Sequence, residues 1–357
     1  MKTMKIGIVG CGGIANGKHL PAIKRNGNFE AVAFCDLIEE RAVKAKEEYG
    51  TPDARVYTDY QELIKEDLDA VYVLTPNNAH APVTIAALKA GKHVMCEKPM
   101  AKTYAEAKEM VETAKETGKI LTIGYQNRYR PDSQYLKRAC ANGDLGDIYY
   151  AKAHAIRRRA VPTWGVFIDE EKQGGGPLID IGTHALDLTL WMMDNYELSP
   201  YQDPCSASWR IRRRQEMPGE TGSGEVYGGR FRFWIHQDEK RSHYRAGILM
   251  GHQQPGCWRG TDQPLRYQSR CRYGGRPAYQ QGGVCRQCVE TPDFSAGGVA
   301  FFDGAAEKAD DVEQRIFYNA VVNGEPLTVK PEQALVVTQI LEAIYEAAKS
   351  GKTVYFE

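Results

Sequence analysis

The sequence predicts an α/β fold that opens with a parallel, doubly wound sheet. Short apolar runs alternate with helical patterns over residues 1–124, which is typical of parallel strands joined by crossover helices. In such sheets ligands bind beyond the carboxyl ends of the strands. Strands are predicted at residues 5–10, 30–35, 69–74, 93–96 and 120–123, and helices at residues 82–90 and 103–117.

A glycine-rich turn follows the first predicted strand. Residues 10–15 read G-C-G-G-I-A, which is G-x-G-x-x-A with one additional glycine. Gly10 permits the tight turn, Gly12 lets the backbone approach a pyrophosphate, and Ala15 lets the following helix pack close to the strand. The free amide groups at the start of that helix would face the phosphates. With a strand before it and a helix after it, the turn predicts dinucleotide binding rather than a merely structural bend.

An acidic residue, Asp36, ends the second predicted strand. A carboxylate at this position accepts hydrogen bonds from the adenine ribose hydroxyls and repels a 2′-phosphate. Leu37 and Ile38 follow it, and no arginine occurs before Arg41. The sequence therefore predicts NAD rather than NADP.

Polar motifs also follow the later strands. They are T-P-N-N-A-H at residues 75–80, E-K-P at residues 97–99 and G-Y-Q at residues 124–126. No metal site is predicted. The predicted cofactor contacts are Gly10, Gly12, Gly13, Ile14, Ala15, Asp36, Thr75, Pro76, Asn77, His80, Glu97, Lys98 and Gln126.

Lys98, Asp180 and His184 are the predicted catalytic residues. Oxidising an alcohol without a metal requires one group that takes the hydroxyl proton as the hydride leaves and another that orients the hydroxyl. Asp180 and His184 are at i and i+4, so they face the same side of a helix. Other roles are open to them, since Lys98 could be a solvated loop lysine and Asp180 a helix cap. A Gly-Gly-Gly-Pro loop at residues 174–177 beside the pair favours a site.

Together these motifs resemble the Gfo/Idh/MocA oxidoreductases, over residues 1 to 199 and again from residue 289 onward. The resemblance implies a Rossmann domain followed by an α/β domain with a large, mostly antiparallel sheet. It also implies tightly held NAD(P), a homo-oligomer and a sugar or cyclitol substrate. Lys98 and His184 match the family's catalytic lysine and histidine, and Asp180 matches its substrate-binding acid. The expected domains are residues 1–124 for NAD and residues 125–357 for substrate and oligomerisation.

Three further segments resemble a narrower subset that oxidises pyranose sugars or their derivatives, often at a ring hydroxyl. They are residues 124–131, 162–165 and 174–180. Trp164 could equally be part of a core. The predicted substrate contacts are Asn127, Arg128, Trp164, Asp180 and His184.

Composition limits the other classes of function. The formal net charge is zero, which speaks against nucleic acid and anionic membranes as partners. No apolar run reaches the ~20 residues of a membrane span, and no secretory apolar region precedes the first strand. Cys11, Cys35 and Cys96 are interpreted as reduced thiols, which predicts a cytoplasmic location.

Residues 201–288 have a different composition. They contain 14 of the 24 arginines and five of the nine cysteines, but only one lysine and seven Leu, Ile and Val residues together. A zinc site at Cys257, Cys271, Cys285 and Cys288 is one interpretation, but the first two lack partners at zinc spacing. Disorder is another, although disordered segments rarely carry so many Cys, Trp and Tyr residues.

Translation out of frame is the interpretation that we prefer for this segment. Shifting the codons of residues 231–244 by one nucleotide can give S-G-F-G-F-I-K-M-K-N-G-A-T, an apolar strand followed by an Asn-Gly hairpin turn. Shifting those of residues 248–253 can give E-S-S-W-A-I. Two compensating insertions or deletions, near residues 199 and 288, would account for the abrupt change of composition at both ends of this segment.

Four functions follow from these patterns. The leading hypothesis is an NAD-dependent dehydrogenase that transfers hydride between a ring carbon of a sugar or cyclitol and the nicotinamide. The second is a glycosidase that uses bound NAD for transient oxidation. The third is a nucleotide-binding regulator without catalysis, which the presence of Lys98 and His184 disfavours. The fourth is an inactive product of a damaged reading frame.

Overall fold

The computed structural model describes residues 2–146, 148, 150–157, 162, 165–198, 307–350, 354 and 356, together with the backbone of five strands between residues 224 and 290. The chain divides into two compact units. The first comprises Met1–Tyr129, Thr163–Ile179 and Glu307–Glu342, and the second comprises Arg130–Pro162, Asp180–Ala306 and Ala343–Glu357. The first unit therefore combines the expected nucleotide-binding segment with two segments from later in the chain.

A six-stranded parallel sheet forms the centre of the first unit. Its strands lie in the order β3-β2-β1-β4-β5-β6, so the chain crosses from one side of β1 to the other between β3 and β4. Val9 at the end of β1 lies opposite Cys35 of β2 and Val73 of β4, so three strands end at the same level. The predicted doubly wound sheet is confirmed. The strands are β1 (Met4–Val9), β2 (Phe29–Cys35), β3 (Arg55–Tyr57), β4 (Ala70–Val73), β5 (His93–Cys96) and β6 (Leu121–Ile123).

Helices cover both faces of this sheet. The glycine turn leads into a π-helical turn, Ala15–His19, and a 3-10 turn, Gln126–Tyr129, follows β6. At the start of α5 the Thr103 hydroxyl accepts from Glu106 N, and the Glu106 carboxylate accepts from Thr103 N, which is a capping box. The α-helices are α1 (Leu20–Asn26), α2 (Glu39–Tyr49), α3 (Tyr60–Leu63), α4 (Asn77–Lys89), α5 (Tyr104–Thr117), α6 (Pro131–Ala141), α7 (Glu170–Gln173), α8 (Thr183–Met193), α9 (Ala309–Asn323) and α10 (Pro331–Ser350).

Helix α4 begins earlier than the sequence predicts. A helix start at Pro82 is expected because proline is favoured in the first turn. In the structure α4 starts at Asn77 and Pro82 lies inside it. The polar motif at residues 75–80 is therefore largely helical, and its later side chains lie on the first turns of α4.

Helix α9 packs against the sheet of the first unit. Tyr72 of β4 and Phe317 of α9 are both buried and make an edge-to-face contact at 5.7 Å between ring centroids. Tyr318 donates its hydroxyl to the carbonyl of Lys2. At the surface Arg25 of α1 forms an ion pair with Asp311. The helix ends at Gly324 in the left-handed conformation, at the Asn-Gly stop that the sequence predicts.

The second unit contains the helix predicted to carry Asp180 and His184. A π-helical turn over Leu178–Gly182 runs into α8, so the expected helix over residues 180–193 is confirmed. The apolar residues 354–356 predict a last short strand, but neither of the two described positions, Val354 and Phe356, is in a strand.

Strand β7 (Tyr150–Arg157) pairs antiparallel with β10, and the strand order is β7-β10-β9-β8. Five strands are described between residues 224 and 290. The side chains of residues 201–288, including those of the cysteines in the alternative zinc site, lie outside the described residues, so the out-of-frame interpretation stays a prediction. The other strands are β8 (Gly224–Gly228), β9 (Phe231–Gln237), β10 (Tyr244–Gly251), β11 (Tyr279–Gly282) and β12 (Gln287–Glu290).

Within the described part of the chain, every helix is too short or too polar to cross a membrane.

Candidate active site

The glycine turn leaves backbone open where a pyrophosphate is expected. Gly10 has φ of +94°, and a Cβ added to it would lie 2.6 Å from the carbonyl oxygen of Leu74, so only glycine fits. A Cβ added to Gly12 or Gly13 would meet no atom within 4 Å. The backbone of these two residues thus faces space that a side chain would otherwise occupy, and this space fits the phosphates of a dinucleotide.

Asp36 lies directly beside this turn. Its Oδ2 accepts from Cys11 N at 2.8 Å, and its Oδ1 accepts from Ile38 N at 2.9 Å. Each carboxylate oxygen has a second lone pair, so the same group can also accept from ribose hydroxyls. Burial, with a smaller contribution from the Asp36 charge, raises the pKa of the Cys11 thiol to about 12. Cys11 is therefore a neutral thiol in the turn.

The Thr75–His80 motif is joined to its surroundings by two side chains. Asn77 is buried, and its Nδ2 donates to the carbonyl of Gln173 at 2.9 Å. His80 Nδ1 lies 2.6 Å from Pro99 O, and Nε2 lies 2.9 Å from Thr75 O. Burial lowers the pKa of His80, although both carbonyls oppose this effect. A neutral imidazole has one proton, so it donates to one of the two carbonyls.

Glu97 lies within a buried cluster of charged and polar side chains. Its Oε1 is 2.8 Å from both Lys18 Nζ and His19 Nε2. Burial alone would raise the pKa of this carboxyl, but the Lys18 charge and the His19 hydrogen bond hold it well below its ordinary value. Burial alone would lower the pKa of Lys18, but the charges of Glu313 and Glu97 raise it. These contacts are all within the protein, so the cofactor contact expected of Glu97 stays a prediction.

Lys98 is half-buried at the end of β5, at the same edge of the sheet as the glycine turn and Asp36. Its backbone N donates to Glu97 Oε2 at 3.0 Å. The structure therefore brings together, in one unit, the strand-end residues expected to bind the cofactor and the lysine expected to act on the substrate.

The 3-10 turn after β6 carries the remaining residues predicted in this unit. Gln126 and Asn127 are half-buried. Arg128 is fully buried, and its guanidinium donates to Thr328 O at 3.0 Å and to Gln333 Oε1 at 2.6 Å. These bonds hold the turn to the first turn of α10 and to the segment before it, so the geometry gives Arg128 a structural role, and its substrate contact stays a prediction.

Asp180 and His184 lie in the second unit, and both are half-buried. Asp180 is inside the π-helical turn, so it does not occupy the capping position considered for it. The residue before α8 is Gly182, which has helical dihedral angles. Trp164 lies outside the described residues.

Sequence reasoning missed four residues of the site: Lys18, His19, Glu313 and Gln314. Lys18 and His19 end the π-helical turn that follows the glycine motif, and a polar pair in a turn that must pack on the sheet was the available signal. Glu313 and Gln314 gave no such signal because they begin an ordinary amphipathic pattern. Among the described residues, no group of three or more His, Cys, Asp or Glu side chains could hold a metal ion.

Two family models match the chain. Residues 4–125 match the model described as "Oxidoreductase family, NAD-binding Rossmann fold", and residues 133–199 match the GFO/IDH/MocA C-terminal domain. D-glucoside 3-dehydrogenase of Escherichia coli (strain K12) is 42% identical over 362 residues, covering 98% of this chain and 97% of that protein. The chain belongs to the Gfo/Idh/MocA family of oxidoreductases, whose Rossmann domain binds NAD.

A further relative and two solved structures are also similar to this chain. Inositol 2-dehydrogenase of Salmonella typhimurium is 31% identical over 228 residues, covering 62% of this chain and 65% of that protein. The structure of aldose-aldose oxidoreductase from Caulobacter crescentus aligns with a TM-score of 0.68 at 21% identity, covering 99% of this chain and all of that one. GenD2 from gentamicin A biosynthesis, in complex with NAD, aligns with a TM-score of 0.67 at 20% identity, covering 100% of this chain and 97% of that one. At 20–21% sequence identity, these structural alignments show that the fold is shared.

Proposed function

We propose that this chain oxidises a ring hydroxyl of a pyranose glycoside, with a free sugar or cyclitol as related substrates, and uses NAD. One observation carries the proposal most directly. Lys98 follows β5 at the sheet edge that also bears the open glycine turn after β1 and Asp36 after β2. A lysine beside a nicotinamide site is suited to take a proton from a substrate hydroxyl. The glycoside preference is supported by the relative that is 42% identical over nearly the whole chain.

Each residue has a separate part in this proposal. Gly12 and Gly13 receive the pyrophosphate, and Asp36 accepts from the adenosine ribose. Bound NAD supplies the hydride acceptor. Lys98 and His184 handle the hydroxyl proton, and Asp180 orients the substrate.

Further contacts belong to the proposal as well. The cofactor contacts of Ile14, Ala15, Thr75, Pro76, Asn77, His80 and Gln126 rest on the family resemblance, as do the substrate contacts of Asn127 and Trp164.

We also propose that residues 125–357 form the substrate and oligomerisation domain of a homo-oligomer, with a mostly antiparallel sheet. The antiparallel pairing of β7, β10, β9 and β8 supports the sheet. The buried, free thiols of Cys11, Cys35 and Cys96 support a reducing compartment, which we take to be the cytoplasm. Light scattering of the purified full chain tests the oligomer, and a monomeric mass would contradict it.

The activity is tested by incubating the purified full chain with NAD and methyl β-D-glucoside and following NADH absorbance. Myo-inositol and D-glucose are the comparison substrates. Accumulation of NADH with the glucoside, and less with inositol, is the expected result. Release of glucose without accumulation of NADH would instead favour the glycosidase. NAD binding with no turnover of any of the three compounds would favour the regulator or the product of a damaged frame.

A further inference from the structure

A buried ion cluster lies behind the loop that carries Lys98. Lys18 Nζ is 2.8 Å from Glu97 Oε1 and 2.9 Å from Glu313 Oε2. The three side chains are between 0% and 6% exposed. Burying charges is costly unless they are paired, and apolar replacements of buried ion pairs are often equally stable. The cluster therefore calls for an explanation other than stability alone.

One chain of hydrogen bonds in the cluster leads from Tyr72 through Gln314 of α9 and His19 to Glu97. Tyr72 donates its hydroxyl to Gln314 Oε1 at 2.7 Å, which leaves the Gln314 amide nitrogen 3.2 Å from His19 Nδ1. Since that nitrogen donates, His19 Nδ1 accepts, and the imidazole proton is on Nε2. His19 Nε2 then donates to Glu97 Oε1 at 2.8 Å. Gln314 thus sets the tautomer of His19, and His19 helps to fix the Glu97 carboxylate.

The other oxygen of Glu97 connects the cluster to Lys98. Glu97 Oε2 accepts from Lys98 N at 3.0 Å. The carboxylate also lies against Gly124, where an added Cβ would come within 3.0 Å of Oε1. On the far side of Lys98, the carbonyl of Pro99 contacts His80 Nδ1. The backbone is therefore anchored on both sides of the lysine.

We propose that Lys18, His19, Glu97, Glu313 and Gln314 form a positioning cluster for Lys98, through which α9 influences the reaction without touching the substrate. The proposal rests on the catalytic role given to Lys98 above. Glu313 acts by holding Lys18 against Glu97, and Gln314 acts by orienting His19. A displaced Glu97 carboxylate would release Lys98 N and change the direction in which the lysine side chain leaves the strand end.

The main test compares Glu313→Gln with Asp311→Asn in the full chain. Both residues are on α9 and both pair with residues before β2, but Asp311 pairs with Arg25 at the surface. The measurements are acetic anhydride labelling of Lys98, relative to the exposed Lys108, by peptide mass spectrometry, together with NAD affinity, Tm, kcat and KM. For Glu313→Gln we expect an altered labelling rate of Lys98 and a kcat lower by roughly 10–100-fold, the scale of a misplaced catalytic group. NAD affinity and KM should stay within about twofold. Asp311→Asn should change neither the labelling nor kcat.

A double-variant cycle tests the route through Lys18. If Glu313 acts through Lys18, Glu313→Gln should have little further effect on Lys98 labelling in a Lys18→Met background. If Glu313→Gln alters Lys98 labelling as strongly in the Lys18→Met background as in the parent protein, the proposed route through Lys18 is wrong. If Glu313→Gln does not fold, Gly124→Ala keeps every charge and displaces the Glu97 carboxylate by a few tenths of an ångström. Unaltered Lys98 labelling in Gly124→Ala would then overturn the proposal.

The labelling measurement separates this inference from the proposed function. A lowered Tm with unchanged Lys98 labelling and kcat in Glu313→Gln would show that the cluster serves stability alone. Altered Lys98 labelling in a chain that oxidises none of the three compounds would support the positioning cluster and count against the proposed function.

Discussion

Two regions of the chain, residues 2–124 and residues 201–288, differ in how their apolar and polar residues are arranged. In the first region, apolar strands are buried and each polar motif follows a strand end. In the second, arginine is abundant and apolar aliphatic residues are scarce, so alternation of apolar side chains cannot be sustained. The matches to family models end at residue 199, next to the edge of the second region. The cofactor contacts that the sequence predicts therefore all lie outside the second region.

The most direct test of this difference between the two regions is to resequence the gene across codons 195–295. We expect two compensating insertions or deletions and, in the corrected protein, apolar alternation in place of the arginine-rich segment. Because a slip in pattern sends side chains to the wrong face of a sheet, we expect sugar oxidation to be faster in the corrected protein than in the printed chain. A gene that encodes the printed residues, in a protein that oxidises a glycoside, would refute the out-of-frame interpretation.

Replacing Lys98 in the corrected protein should have the next largest effect. Lys98→Ala should lower kcat by roughly 10²–10⁴, the usual contribution of general acid–base catalysis. NAD affinity should barely change, because the glycine turn and Asp36 are intact. Lys108→Ala is the matched control, since Lys108 is exposed on α5 and pairs loosely with Glu112. Equal kcat values for Lys98→Ala and the parent protein would remove Lys98 from the mechanism.

The local sequence pattern predicted most of the secondary structure of the first region. The five predicted strand runs are local features of the sequence and correspond to β1, β2, β4, β5 and β6. The glycine turn and the acid after β2 are local features too, and the structure places them at the predicted strand ends. Edge strand β3 was missed because its three residues, Arg55–Tyr57, are exposed or half-buried and do not form an apolar run like that of β6. Helix α4 was placed too late because Pro82 is a favoured first-turn residue, yet it lies inside this helix.

The positioning cluster could not be predicted from local pattern. Glu97 and Glu313 are far apart in sequence and meet only because α9 packs on the first unit. A glutamate at the start of an amphipathic helix is ordinarily interpreted as exposed, since acidic residues are favoured in first turns. Only the fold shows that Glu313 is fully buried beside Lys18.

Acid should destabilise the first region through Glu97. Its pKa is lower in the folded protein than in the unfolded chain, so its stabilising contribution is complete above its ordinary pKa and is lost as pH falls through the folded pKa. Removing one partner of such a buried pair costs on the order of 3 kcal/mol. Glu97→Gln should therefore have a lower Tm at pH 7 and a shallower decline of Tm between pH 5 and pH 3, as measured by calorimetry.

The control for this measurement is Asp311→Asn, which removes a partly exposed pair worth about 1 kcal/mol or less. It should retain the steep acid decline of the parent protein. Parallel Tm curves for Glu97→Gln and the parent protein would contradict the role given to the Glu97 charge.

The preference for NAD over NADP is the smallest expected effect. It tests the first region separately, because it is expected not to depend on residues 201–288. Asp36 should repel the 2′-phosphate of NADP by about 1–3 kcal/mol, the Coulomb scale for near neighbours at a protein surface. The printed chain should therefore bind NAD more tightly than NADP in a fluorescence titration, whether or not residues 201–288 are in frame. Asp36→Asn should narrow this preference, and Asp67→Asn is a control because Asp67 precedes β4 and pairs with Lys5 near the start of β1. If NADP bound the printed chain more tightly, Asp36 could not be the ribose acceptor, and the prediction of NAD from the end of β2 would be wrong.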